Sequence, residues 1–364
     1  MDKFVNKLNF DFATNQKVLQ LIGFIDGFKG KWNIVEKKEN RYLKELRKIA
    51  TIESIGSSTR IEGATLTDEE VQGLLKNIKI SKMKTRDEQE VIGYYEVLEL
   101  IFDNYSEIKL SENYIKQLHQ LLLKHSNKDE RHRGGYKNIS NKVVATYPTG
   151  EQRTIFATTE PALVEGEMHE LIEWTNHQFD EKSIHPLIVI AVFIYDFLSI
   201  HPFQDGNGRL SRLLTTLCLL QWEYEFIQYI SFENHIEKNK KVYYEALMSG
   251  QRNRNKENER IDKWMIFFLD SLKTLTEKLE QKYNVFKSKG GYLNERQKQI
   301  KAFFIAQNQP LKVKDLSEKF FKIPIATLKK DLQYMRDEQI LIMIGKGKGS
   351  VYVLKETSNK IANS

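Results

Sequence analysis

Apolar and polar positions along the chain alternate mostly with helical spacing, and one stretch is apolar nearly throughout. From Leu187 to Ile200 the residues are almost all hydrophobic and the run opens behind Pro186. It therefore reads as a buried helix that delivers His201 at its end. Apolar positions return from Arg209 to Trp222, where Leu210, Leu213, Leu214, Leu217 and Leu220 share one face. Helical spacing also marks Val91 to Phe102, Glu112 to His125, Pro161 to Phe179 and Trp264 to Leu279, enough to close a bundle. A different pattern interrupts them: Lys142 to Tyr147 and Gln152 to Ala157 are short β-like runs flanking Pro148-Thr149-Gly150-Glu151, a hairpin signal.

The C-terminal end carries its own pattern. Arg296 to Ala306, Val313 to Phe320 and Ile325 to Asp337, the last opening after Pro324, read as three helices. Two β-like runs, Ile340 to Ile344 and Val351 to Leu354, then flank the glycine-rich Gly345 to Gly349. Three helices and a glycine-tipped ribbon predict a winged helix-turn-helix domain over 292–356. Polar Lys82 to Glu88 suggests a boundary near 85, and Ser288-Lys-Gly290-Gly291 a linker. The expected order is thus a helical region over 1–85, a core over 86–287 and the winged helix, mainly α throughout.

Composition adds a frame. The 364 residues are 40% hydrophobic with a net charge of +7, a mildly basic balance that does not select nucleic acid over acidic partners. The one cysteine, Cys218, permits no intrachain disulfide, and neither a signal-peptide core nor a membrane-length apolar run is visible. The expectation is a cytoplasmic protein that does not enter a membrane.

Candidate chemistry concentrates where the two apolar helices meet. His201-Pro-Phe-Gln-Asp205-Gly206-Asn207-Gly208-Arg209-Leu-Ser-Arg212 gathers an imidazole, one carboxylate, two glycines and two guanidiniums at a helix start. Gly206 and Gly208 let backbone N–H groups turn toward an anion at the positive end of the helix dipole. Asp205 suits Mg2+, which commonly takes one or two protein carboxylates and leaves its other positions to water and phosphates. Arg209 and Arg212, three apart, share a face, and His201 can accept a proton near neutral pH. Singly, a histidine closing an apolar helix is usually a core residue and Asp-Gly-Asn-Gly a surface turn. Together they point to chemistry on a polyphosphate. A calcium-binding EF-hand is excluded, since its required glycine would fall on Leu210 and its glutamate on Thr216. No phosphate-binding Walker loop, HExxH or paired-cysteine zinc spacing occurs.

At every specified position His201 to Arg212 matches H-x-F-x-D/E-G-N-G-R-x-x-R, the motif of the Fic family, which this chain resembles. The resemblance implies a Fic helical bundle with a β-hairpin flap and a protein adenylyltransferase: a Ser, Thr or Tyr hydroxyl of a target protein, or of the chain itself, attacks the α-phosphorus of Mg-ATP and pyrophosphate leaves. By position, His201 would be the general base, Asp205 the Mg2+ ligand, and Gly206, Asn207 and Gly208 the α-phosphate loop. Arg209 and Arg212 would hold the outer phosphates and Phe203 would anchor the loop in the core. Gly208, where kinases of the same fold carry lysine, favours AMP transfer over phosphorylation. Ser58-Thr-Arg-Ile-Glu62-Gly63 matches the family's inhibitory S/T-x-x-x-E-G/N, with Ser58 and Glu62 on one helical face. The implied mechanism is that Glu62 pairs with Arg212 and occupies the γ-phosphate site. The flap over 142–157 would pair with the target protein, and Asn239, Tyr243, Tyr244, Leu247 and Gln251 would hold the adenine. Members often associate through helical faces, which points to a homodimer.

A second class of function stays open: a winged-helix regulator whose Fic core senses nucleotide or removes AMP. Lys329, Lys330, Lys346 and Lys348 are placed to meet phosphates of DNA. Yet Ile325, Ala326 and Thr327, at the start of the third helix, offer little for reading bases, so association with a partner or with itself is preferred over sequence-specific DNA binding.

Overall fold

The computed structural model describes residues 3–38, 40–77, 83, 85–126, 128–146, 152–288, 293, 295–337, 340–345 and 349–355. The chain divides into two compact units, 1–279 and 280–364. The first holds α1 (Lys3–Asn6), α2 (Phe12–Lys38), α3 (Asn40–Ile61), α4 (Asp68–Lys76), α5 (Arg86–Asn104) and α6 (Glu112–Leu122). The hairpin β1 (Lys142–Thr146) and β2 (Gln152–Ala157) follows, then α7 (Pro161–Glu181), α8 (Pro186–Ile200) and α9 (Asn207–Gln221). A 3-10 turn (Glu225–Tyr229), α10 (Phe232–Lys238), α11 (Lys240–Gln251) and α12 (Asp262–Ser288), whose residues from 280 onward fall in the second unit, complete the series.

Local chemistry sets the helix starts. Thr67 and Thr85 each accept from the backbone three residues on, and Glu70 and Glu88 answer to the cap backbone, forming capping boxes at α4 and α5. Ser111 caps α6, while α7 and α8 begin with prolines whose missing N–H costs nothing at that position.

At the centre lies α8, in which Val189 to Ile200 is buried without interruption. It packs against α7 and α9. Each large aliphatic or aromatic side chain so buried contributes about 1.5–3 kcal/mol. The one charge in this run, Asp196, is met by the buried Lys7 ammonium at 2.8 and 2.9 Å. α3 packs against α5, α9 and α10, so the helix carrying Ser58, with Glu62 one residue past its end, lies against the motif helix.

The helix after the motif loop starts at Asn207, two residues before the expected Arg209. Gly206, at φ +81°, makes the turn, and a first-turn glycine at 208 costs the helix little. β1 and β2 pair antiparallel with an irregularity between Val143 and Val144. The turn Pro148 to Glu151 lies outside the described residues, as do Lys82, Lys84, Gly290, Gly291, Lys346 and Lys348.

In the second unit α13 (Glu295–Gln307), α14 (Val313–Lys319) and α15 (Ile325–Asp337) precede β3 (Leu341–Ile344) and β4 (Val351–Leu354), an antiparallel pair. Leu311 bridges to Tyr352, and Ile300, Phe304, Leu316, Leu328, Leu332 and Met335 form the centre of its core. Among the described residues no helix is long and apolar enough to cross a membrane.

Candidate active site

Helix α8 ends on His201, held left-handed at φ 53° with its N–H donating to the Phe197 carbonyl at 2.9 Å. The chain then turns through Pro202 to Gly206 and enters α9. Nothing caps that helix: Gly206 offers no side chain, and its own N–H donates to Asp205 Oδ1 at 2.6 Å. The first-turn N–H groups of α9 are consequently left without a side-chain acceptor, the arrangement that attracts anions.

Several side chains fix the turn. Asn207 clamps it by accepting from Phe203 N–H at 2.9 Å and donating to Phe203 O at 2.7 Å. The Phe203 ring is fully buried, as a core anchor should be, and stacks on His119 with centroids 3.8 Å apart. The imidazole of His119 supplies what the sequence did not disclose. Its Nδ1 accepts from Gly134 N–H at 2.9 Å, so its proton resides on Nε2, which donates to the Asp205 carbonyl at 3.0 Å. Burial pushes its pKa down to about 4, keeping it neutral.

His201 lines a cavity with Glu62, Asp205, Gly206, Asn207, Gly208 and Arg212, and Tyr243, Tyr244, Leu247 and Gln251 line it as well. Burial, followed by the charge of Lys137, holds the imidazole down to about 4, and its buried Nδ1 has no hydrogen-bond partner among the described residues. Asp205 stays ionised: burial opposes the charge, but Arg209, the Gly206 N–H and Arg86 outweigh it.

Arg212 is almost wholly buried and spends its donors on Ser58 of α3 and on Glu62 just past the end of that helix. Nε donates to Ser58 Oγ at 2.8 Å, and Nη2 reaches Ser58 O at 2.9 Å and Glu62 Oε1 at 2.8 Å. Burial penalises both ions of this pair, yet each carboxylate-guanidinium partner overcomes it, lowering the pKa of Glu62 and raising that of Arg212. Oε1 of Glu62 also stands 2.3 Å from where a Cβ on Gly208 would fall, so any larger residue there would have to displace that carboxylate from Arg212. With Glu62 in place the cavity measures about 120 Å3. Pockets for drug-sized ligands are usually roughly 300–1,000 Å3, so this cavity is small by comparison.

Two expected residues stand outside the cavity lining. Arg209 does not line the cavity; it is 1% exposed and turns inward to Asp205 (3.2 Å) and Glu90 (3.3 Å), where α5 supplies a carboxylate that the sequence pattern had marked only as helical. Asn239 also lies elsewhere. It sits between α10 and α11, its side chain donating to the His235 carbonyl at 2.8 Å. Tyr243 and Tyr244 do meet at the cavity despite being adjacent, their rings edge-on with centroids 5.2 Å apart. Gln251 donates to Ser199 Oγ at 3.0 Å; because that hydroxyl donates onward to Tyr195 O, the amide orientation is set and Gln251 Oε1 is left as a buried acceptor with no partner among the described residues. No group of three or more His, Cys, Asp or Glu residues forms a metal cluster among the described residues.

Residues 109–219 match the Fic/DOC family model. Over 189 residues, 51% of this chain and 35% of the relative, the chain is 30% identical to a protein adenylyltransferase Fic of Drosophila willistoni. Against a protein adenylyltransferase Fic of Nematostella vectensis it is 26% identical over 209 residues, 53% of this chain and 45% of the relative. The chain thus spans less than half the length of these relatives. The fold resembles the crystal structure of a Fic family protein from Desulfovibrio desulfuricans G20, with TM-score 0.65 and 21% identity over 93% of this chain and 95% of that one. The matched residues contain the motif turn described above, so residues 109–219 are similar to the Fic/DOC family domain, and the fold is similar to that of the solved Fic family protein along almost the whole length.

Proposed function

We propose that the chain transfers AMP from ATP to a hydroxyl of a protein and that Glu62 holds it inactive. One observation carries the reading: a neutral imidazole, an uncapped helix start and a guanidinium occupied by a neighbouring carboxylate converge on a single cavity. The hydroxyl oxygen attacks the α-phosphorus, the bond to the β-phosphate oxygen breaks, and pyrophosphate leaves with that electron pair. His201 accepts the hydroxyl proton at its cavity-facing nitrogen. The first-turn N–H groups of Asn207 and Gly208 stabilise charge on the α-phosphate. Arg212, once released from Glu62, takes a terminal phosphate. Asp205, with a third of its side chain exposed, is the residue that would hold Mg2+, whose contribution when bound is to neutralise phosphate charge. Arg209 acts behind it, orienting that carboxylate. Tyr243 and Tyr244 offer stacking surface, and the unpartnered Gln251 Oε1 suits the amino group of adenine.

The hairpin supplies an edge on which an extended target segment can pair through main-chain bonds, presenting its hydroxyl near His201. We read residues 295–354 as a winged helix serving partner association; Lys329 and Lys330 are exposed, and salt-dependent retardation of duplex DNA would assign it to nucleic acid instead. The decisive experiment uses α-labelled ATP with the wild type, Glu62→Gly and His201→Ala, the chain itself and a cell extract serving as acceptors. Label should rise with Glu62→Gly and vanish with His201→Ala; equal labelling of all three would end the proposal. Glu62, a third exposed, could also orient a water, and release of AMP from premodified protein by the wild type would favour that reverse reaction.

A further inference from the structure

Lys137 lies on the stretch between α6 and the hairpin and is 4% exposed, yet it forms no ion pair among the described residues. Burying an unpaired ammonium is costly, and an apolar side chain of similar length would avoid that cost. Its three N–H donors are all used. They reach Thr158 Oγ1 at 2.7 Å, Asn141 Oδ1 at 2.9 Å and the Ile200 carbonyl at 3.2 Å. These acceptors sit at meaningful places. Asn141 immediately precedes β1, Thr158 immediately follows β2, and Ile200 immediately precedes His201.

Further bonds run the same way. The Lys137 backbone N–H donates to Pro202 O at 2.8 Å, and Asn141 Nδ2 to Phe203 O at 2.9 Å. The two legs of the hairpin are joined by Thr158 Oγ1, which lies 2.9 Å from Asn141 O and 2.7 Å from Asn141 Oδ1. We propose that Lys137 is a positioning residue that ties both legs of the β-hairpin to the carbonyl before His201, so that a target strand paired on the hairpin arrives in fixed register with the imidazole. The role rests on the AMP-transfer reading of the site. Lysine suits it better than arginine, because a tetrahedral ammonium meets three acceptors in three directions while a planar guanidinium does not. The cation also faces the imidazole and contributes to keeping it neutral. A displacement of about 1 Å between base and hydroxyl is enough to cost about a hundredfold in rate.

The test uses the full chain carrying Glu62→Gly, into which Lys137→Met, Lys137→Arg or the milder Thr158→Val is placed. Amide hydrogen exchange of residues 142–146 and 152–157, ATP affinity by calorimetry, and AMP transfer from α-labelled ATP to the chain itself and to a cell extract are measured on each. For Lys137→Met and Lys137→Arg the expected result is faster exchange throughout the hairpin and transfer reduced about tenfold to a hundredfold, with ATP affinity held within about threefold. Thr158→Val should show the same pattern, less strongly. Unchanged hairpin exchange would overturn the proposal, as would equal losses of ATP affinity and transfer or full activity in Lys137→Arg. If the Glu62→Gly parent transfers no AMP, the activity reading fails, while the exchange measurement still decides whether Lys137 couples hairpin and turn.

Discussion

Removing the carboxylate at residue 62 tests the proposed inhibition, because charge and volume can be separated there. Glu62→Gln keeps the shape and deletes the charge; Glu62→Gly deletes both. A phosphate brought to about 4 Å from the Glu62 carboxylate would meet a repulsion of about 4 kcal/mol at an effective dielectric near 20. The side chain is 34% exposed, so solvent screening reduces this, and about 1–3 kcal/mol is the usable range. Glu62→Gln should accordingly tighten Mg-ATP binding by roughly tenfold to a hundredfold. Glu62→Gly should exceed it, because it also enlarges a cavity of about 120 Å3. Isothermal calorimetry measures both, and thermal melting without nucleotide should show Glu62→Gly less stable than the wild type, since the buried Arg212 loses its only anionic partner among the described residues. Affinities indistinguishable across the three proteins would refute occlusion by Glu62.

Other consequences are separately measurable. The folded chain keeps His119 neutral down to about pH 4 against an ordinary value of 6.5, so this stabilisation is complete above 6.5 and is lost as pH falls toward 4. The loss amounts to about 3 kcal/mol, and His119→Gln, which does not titrate, should flatten the fall of the urea midpoint over that window; an unchanged slope would contradict the assignment. In Gly208→Ala the new methyl would lie 2.3 Å from Glu62 Oε1 and 3.3 Å from Arg212 Nη1. It should destabilise the wild type by about 1–3 kcal/mol, and less so beside Glu62→Gly, a coupling that a double-mutant cycle of urea melts would expose.

Much of this site is contiguous in sequence and so was legible there. The apolar run before His201, the two glycines and the return of leucines at helical spacing locate the turn, and Ser58 and Glu62 both reach Arg212, although the helix expected to carry both ends at Ile61 and Glu62 sits in the turn that follows. What the pattern did not disclose comes from other elements. His119, Lys137 and Glu90 are single polar residues whose importance lies in reaching the turn from α6, the stretch before the hairpin, and α5. Periodicity ranks them as ordinary positions, and only tertiary distance distinguishes them. Arg209 and Asn239 stand apart from the cavity lining that spacing suggested for them. Spacing put both arginines on one face, but Arg209 emerges where α5 offers Glu90 and so turns inward. Asn239 falls between two helices, where its amide is used to close a backbone carbonyl.

The left-handed backbone of His201 bears on how an inert version should be made. At φ 53° an alanine costs about 1 kcal/mol and invites the helix end to unwind, whereas asparagine tolerates that region. His201→Asn therefore removes the proton acceptor while preserving the bend that presents it. Such a protein should engage its client without consuming it, which makes it a better bait for capturing the partner than the alanine version.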